Sequence, residues 1–197
     1  MLTSASTQPI TSKKNIRSPK NIIKQSALDG MLSSFKKALS TSTPSTNAKQ
    51  KSAQKNAIDH LFISHENLGN SITMRDDAAR TITQTGVPLE ALQALQDTLQ
   101  LPALEAYELV RLDRSQASRL RSEGRALNEF QSARALRAMA LTALAVEVFG
   151  TSEAAAQWLK RPHPLLNGET PLLFAVSEFG ATGVRNMLVA IRYGGVV

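Results

Sequence analysis

The segment Arg114-Ser115-Gln116-Ala117-Ser118-Arg119-Leu120-Arg121-Ser122 carries the residue types that read nucleic acid. Arginine can bind guanine bidentately and glutamine can bind adenine, while serine and arginine also reach phosphate oxygens. Wound as a helix, the segment turns Ala117 and Leu120 inward and leaves Ser115, Gln116, Ser118, Arg119 and Arg121 mostly outward. With Arg114 and the following Arg125, these residues form the candidate DNA-contacting set. No comparable set supports bond-making chemistry. The chain has no cysteine, no nucleophile elbow, no phosphate-cradling glycine loop and no paired carboxylates at telling spacing. His60 and His65 are five residues apart, which does not place them on one helix face for metal binding. The chain is therefore expected to be no enzyme and to need no cofactor or metal.

The basic segment needs a scaffold, and the flanking sequence supplies one. Leu89, Leu92, Leu95 and Leu99 make the apolar stripe of a helix over about 88–100, with Pro88 near its start. A short helix over 103–110 follows, then a turn at Arg111-Leu112-Asp113, where Asp113 is placed to cap the next helix. Gly124 ends that helix. A short helix, a three-residue turn and a polar basic helix match the helix-turn-helix arrangement, whose second helix enters the major groove. The same pattern also describes a solvated pair in a helical bundle, and Arg111 stands where such turns more often place glycine.

Downstream, Asn128 with Gln131 resembles a capping box. It opens a long helix to Phe149, stopped by Gly150, with Phe130, Ala133, Leu136, Ala140, Leu144 and Val148 at helical spacing. A helix from Ser152 carries Trp158 and ends at Pro162 and Pro164. Thr170 and Pro171 start another, expected to end at Gly180, and a last helix over about 182–192 precedes Tyr193-Gly194-Gly195.

The net charge of +7 is unevenly spread. Residues 1–60 carry ten Lys or Arg against two acids, and residues 111–137 carry seven Arg against three acids, whereas residues 61–110 are net acidic. A basic balance suits nucleic acid, an acidic protein partner or a membrane surface. No apolar run approaches the roughly 18–20 residues of a membrane span. Residues 1–20 and 40–56 are rich in Ser, Thr, Lys, Asn and Gln and are expected to lack fixed structure. Between them Ile22, Ile23, Leu28, Met31, Leu32, Phe35 and Leu39 allow a short basic amphipathic helix, which Gly30 weakens by about 1 kcal/mol relative to Ala. Such a tail reads as a solvated extension, as an added contact to DNA phosphate or a partner, or as an organellar transit peptide.

The run Val148-Phe149-Gly150, Ala154, Trp158-Leu159, Pro162, Leu165, Asn167-Gly168, Pro171-Leu172, Gly180, Val184, Leu188, Ile191 and Tyr193-Gly194 closely resembles the C-terminal toxin-binding domain of the Xre/MbcA/ParS-type antitoxins. Residues of about 86–137 look like the Xre-type helix-turn-helix found before that domain. Residues 1–56 fall outside the resemblance, and Arg111 and Phe174-Ala175 depart from its pattern. It implies an all-α fold in three parts: a mostly disordered basic tail over 1–56, an Xre-like helix-turn-helix domain over 57–137, and a small toxin-binding helical domain over 138–197. It also implies a cytoplasmic antitoxin that inhibits a RES-domain, NAD⁺-consuming toxin, represses its own operon by binding operator DNA, and works as a homodimer within a hetero-oligomer with the toxin. The alternative is a helix-turn-helix regulator without a toxin.

In such an antitoxin the toxin-contacting set would be Trp158, Arg192, Tyr193, Gly194, Gly195, Val196 and Val197. The Val197 carboxylate would act as a pseudo-ligand in the NAD⁺ pocket, with Val196 and Tyr193 against its apolar wall. The two glycines would let the chain turn sharply, and Arg192 would pair with an acidic residue of the partner. Trp158 reads first as a core residue.

Overall fold

The computed structural model describes residues 19–41, 48–65 and 71–195. Among these residues, ten helices and one two-stranded hairpin follow in the order α1 (Pro19–Leu39), α2 (Ala48–Asp59), β1 (Phe62–His65), β2 (Ser71–Met74), α3 (Asp76–Thr85), α4 (Leu89–Leu99), α5 (Ala103–Val110), α6 (Arg114–Glu123), α7 (Glu129–Phe149), α8 (Ser152–Lys160), α9 (Pro171–Phe174) and α10 (Glu178–Arg192). A 3₁₀ turn, Pro164–Leu166, links α8 to α9. The fold is all-α apart from the hairpin, and among the described residues no single helix is long and apolar enough to cross a membrane.

The long helix α7 is the axis. Its capping box forms in both directions: Asn128 Oδ1 accepts from Gln131 N at 2.8 Å, and Gln131 Oε1 accepts from Asn128 N at 3.2 Å. Gly150 ends it in the left-handed region, which glycine enters without a Cβ penalty. From Ala138 to Val146 nearly every residue is buried, because α1, α3, α4, α5, α8 and α10 all pack on it. One continuous apolar core runs from Leu28 to Leu188. The expected boundary at 137/138 falls in the middle of α7, so the two flanking units share this helix.

Four elements differ from expectation. The basic helix near the N-terminus is not an appendage: Leu28, Met31, Phe35 and Leu39 of α1 are buried against α4 and α7. Gly30 lies on the open side, where an added Cβ would meet nothing. Residues 48–56, expected to lack structure, begin α2. Only Ala57 and Ile58 at its end are buried, a signature too short to see as a stripe. Residues 62–65 and 71–74, expected to be helical, pair as antiparallel strands with Phe62 opposite Met74 and Ile63 opposite Thr73. β-Branched and aromatic residues favour this pleated state.

The fourth difference lies in the last fifty residues. The helix from Pro171 stops at Phe174, and a new one starts at Glu178, so Gly180 sits in the first turn of α10 rather than at an end. Ser177 caps α10, its Oγ accepting from Gly180 N at 3.0 Å. A Cβ on Gly180 would lie 1.9 Å from the Phe174 carbonyl oxygen. The glycine is needed for this close corner between α9 and α10, not to terminate a helix.

Candidate functional sites

The α5–turn–α6 unit is built as its capping residues dictate. Asp113 Oδ1 accepts from Gln116 N at 2.7 Å and from Ser115 Oγ at 2.6 Å. The Ser115 hydroxyl, and next the Gln116 amide, hold the Asp113 carboxyl below its ordinary value. Arg111 adopts a left-handed conformation, φ 55° and ψ 49°, which explains why glycine is common at such a turn. Its carbonyl accepts from Gln131 Nε2 at 3.3 Å, fastening the turn to the start of α7.

Ala117 and Leu120 are buried and Arg114, Ser115, Ser118, Arg119 and Arg121 are exposed, the division expected from the sequence. Gln116 behaves differently. It is half-buried and its Oε1 accepts from Gln131 Nε2 at 3.2 Å. A bidentate adenine contact would need that oxygen, so Gln116 must exchange its partner to make one. Arg125 is exposed and pairs with Glu123 at 3.1 Å. Arg119 lies at the centre of the surface. It lines a shallow depression with Asp113, Ser115 and Gln116, and a second groove with Thr83–Gly86, Arg125 and Asn128. The arrangement presents cationic forks on a helix whose inner face is anchored.

The C-terminal candidates occupy two places. Trp158 is half-buried, with its ring centroid 5.6 Å from that of Phe149 and 6.4 Å from that of His163. It therefore pins α8 to the end of α7 and to the 163–170 loop. Arg192, expected to meet an acidic group of a partner, has one within the chain: it pairs with Glu147 of α7. Its guanidinium also lies 5.9 Å from the Tyr193 ring centroid. Tyr193 is exposed. Gly194 takes φ 80°, and Gly195 N donates to Ala190 O at 2.7 Å. The glycines turn the chain back over the end of its own α10. Val196 and Val197 lie outside the described residues.

A third cluster went unforeseen. Arg134 of α7 is only 7% exposed. Its Nε donates to Leu109 O at 2.6 Å, at the end of α5, and its Nη1 to Val176 O at 3.4 Å, between α9 and α10. Arg137 Nη1 donates to the same Val176 carbonyl at 2.9 Å. Burial, and then the like charges of Arg111 and Arg137, lower the pKa of Arg134. Phe130, expected in the apolar stripe of α7, is instead 58% exposed with the Arg134 guanidinium 5.4 Å from its ring centroid. Polar Gln131, Ser132 and Arg134 are the buried residues of that first turn and a half, the reverse of what the sequence pattern suggests.

Comparison with known proteins bears on the second cluster and on the Val176 corner of the third. Residues 144–194 match the family model of the antitoxin Xre/MbcA/ParS C-terminal toxin-binding domain. The chain is also 36% identical over 64 residues to the protein named Antitoxin Xre of Pseudomonas putida (strain KT2440), an alignment covering 32% of this chain and 40% of that protein. The chain thus matches well under half of that relative's length. The matched range takes in the end of α7, the Trp158 contacts, the α9–α10 corner and the Arg192–Tyr193 turn. Over residues 144–194 the C-terminal module of this chain is thus similar to the toxin-binding domain of the Xre/MbcA/ParS-type antitoxins.

Proposed function

We propose that this protein inhibits a RES-domain, NAD⁺-consuming toxin through its C-terminal module and represses its own operon through α6. The observation that carries the reading is the presence, on one central helix, of both a family toxin-binding domain and a capped, outward-facing arginine helix. The exposed Arg114, Arg119 and Arg121 would meet phosphates and base edges, with Ser115 and Ser118 beside them. Arg125 would join them by releasing Glu123. A homodimer would place two such helices on a two-fold-related operator, as helix-turn-helix proteins require.

The inhibitory element is the segment after α10. The Arg192–Glu147 pair fixes the end of α10, exposed Tyr193 follows it, and the segment must give up its Gly195 N–Ala190 O bond to extend. Residues 193–197 enter the NAD⁺ cleft of the toxin, and Trp158 supports the surface around the entry. In this role Arg192 positions the segment.

Two measurements test the parts separately. Co-expression with a RES-domain toxin should restore growth, and a chain lacking residues 193–197 should restore it far less while melting normally. Full rescue by the shortened chain would refute the plug. Replacing Arg119 and Arg121 by Ala should weaken binding to the upstream DNA. It should also reduce the slope of log K against log salt by about 0.9 for each phosphate that is no longer neutralised. An unchanged slope would remove α6 from the interface.

A further inference from the structure

Three large apolar side chains stand exposed around the Val176 carbonyl. Phe179, at the start of α10, is 93% exposed, and Phe130 and Leu173 are about half exposed. The contacts bring the elements that carry them together at Val176. Arg134 reaches from the Phe130 ring to Val176 O. Val176 N donates to Leu173 O at 3.1 Å, and Phe179 lies three residues further on. An exposed phenylalanine at a helix start gains nothing for the isolated fold, and apolar side chains grouped in this way mark protein contact surfaces.

The charge at the centre of this patch is one-sided. Arg134 and Arg137 make hydrogen bonds to main-chain carbonyls but, among the described residues, no ion pair, and the charges acting on Arg134 are those of Arg111 and Arg137. Glu129 and Glu178 adjoin the two phenylalanines in sequence, yet neither pairs with these arginines. Cations brought into a fold ordinarily have a carboxylate partner. Here the described part of the chain supplies none, and the half-buried Arg137 is the one open to an approaching group.

We infer that Phe130, Leu173, Phe179 and Arg137 form a docking surface for the toxin partner, which presents an apolar face carrying a carboxylate that seats on Arg137. This rests on the antitoxin reading and extends it. Phe130 and Arg137 lie upstream of the matched range of 144–194, so the toxin contact continues onto the part of α7 that holds the α5–α6 unit. Leu173 and Phe179 lie inside that range, so the surface is continuous with the family domain. A second copy of the chain would bring the same excess of arginine to this patch and is the poorer fit.

The test uses the full chain and a catalytically inactive RES-domain toxin, with affinity measured by titration calorimetry. Phe179→Ser should weaken binding about 30-fold or more, the scale of a central interface residue, and leave melting unchanged because the ring makes little contact within the chain. Arg137→Gln should weaken binding about tenfold and flatten its salt dependence, and Arg137→Lys should recover part of the loss. Phe179→Ser decides the matter even if Arg137→Gln melts early. Wild-type binding with both variants within about threefold of it overturns the proposal and leaves the antitoxin reading intact. So does a Phe179→Ser variant that changes only the chain's own oligomeric state, or an Arg137→Gln variant that weakens only operator DNA binding. Failure of the wild-type chain to bind refutes the antitoxin reading, and the proposal with it.

Discussion

Phe35 gives the sharpest test of how the N-terminal region is built. A residue in a solvated basic extension could be truncated to Ala at almost no cost. In the structure its side chain is fully buried, on a helix that packs on α4 and α7. Removing a buried phenyl ring costs its transfer free energy and leaves a cavity that rigid neighbours only partly fill, together about 3–5 kcal/mol. For a chain of this size each kcal/mol moves Tm by about 2–4 °C, so Phe35→Ala should lower Tm by about 6–20 °C.

The single tryptophan provides the assay. Trp158 sits in α8, far from Phe35 in sequence, and reports on the C-terminal body. If α1 shares the cooperative core, urea unfolding followed by Trp158 fluorescence should move to a lower midpoint in Phe35→Ala, with its slope unchanged. Ser33→Ala, on the exposed side of the same helix, should stay within about 0.5 kcal/mol of wild type. A Trp158 transition in Phe35→Ala that coincides with wild type would refute the docking of α1.

Other perturbations address the two faces. Arg111→Gly should stabilise by about 0.5–1 kcal/mol, because it relieves a left-handed arginine and keeps the carbonyl that Gln131 uses; differential scanning calorimetry reads this directly. Gly180→Ala should cost about 3 kcal/mol or more, since its Cβ would collide with the Phe174 carbonyl and force the α9–α10 corner apart. Normal melting of that variant would show the corner to be wrongly drawn. The depressed pKa of Asp113 makes its contribution to stability present above the ordinary value of 3.8 and lost as pH falls through the lower folded value. Asp113→Asn should therefore flatten the acid limb of the stability curve below about pH 4. Ser115→Ala should raise the Asp113 pKa toward its ordinary value, as followed by carboxyl NMR.

Much of this molecule was legible where local rules decide it. Asp113 caps α6, the Asn128–Gln131 box opens α7, Thr170 with Pro171 starts α9, and Gly124 and Gly150 end their helices, because each depends on residues within one turn of the chain. What escaped was set by distant partners. The first turn and a half of α7 reads as apolar at Phe130 and polar at Gln131 and Arg134. Burial runs the other way, because Arg111, Gln116, Leu109 and Val176 supply hydrogen bonds that no periodicity reveals. The hairpin and α2 show few core residues each, and α3 buries only Ala78 and Ile82, so none has a stripe long enough to stand out. The exposed polar face of α6 was legible; that Gln116 is engaged by α7 was not.

The polar start of α7 also bears on how the two proposed activities meet. Gln131 holds the α5–α6 turn by Arg111 O and reaches α6 by Gln116 Oε1. One turn later Arg134 bridges the end of α5 and the α9–α10 corner, and Arg137 reinforces the latter contact. These hydrogen bonds are buried or partly buried, and breaking the one to Leu109 O leaves a buried carbonyl without its guanidinium partner at a cost of about 1–3 kcal/mol. Helix α6 and the corner beside Phe179 are therefore tied to the same short stretch of α7, from Gln131 to Arg137. A carboxylate arriving on Arg137 would compete with Val176 O for that guanidinium and load the Arg134 bridge toward Leu109. A partner on the C-terminal face thus has a short covalent and hydrogen-bonded route to the orientation of α6. Operator affinity measured with and without the bound partner, in wild type and in Arg134→Lys, should show the coupling weakened in the variant, since a lysine cannot hold both carbonyls in the fixed geometry of a guanidinium. Equal coupling in both proteins would mean that the two faces act independently.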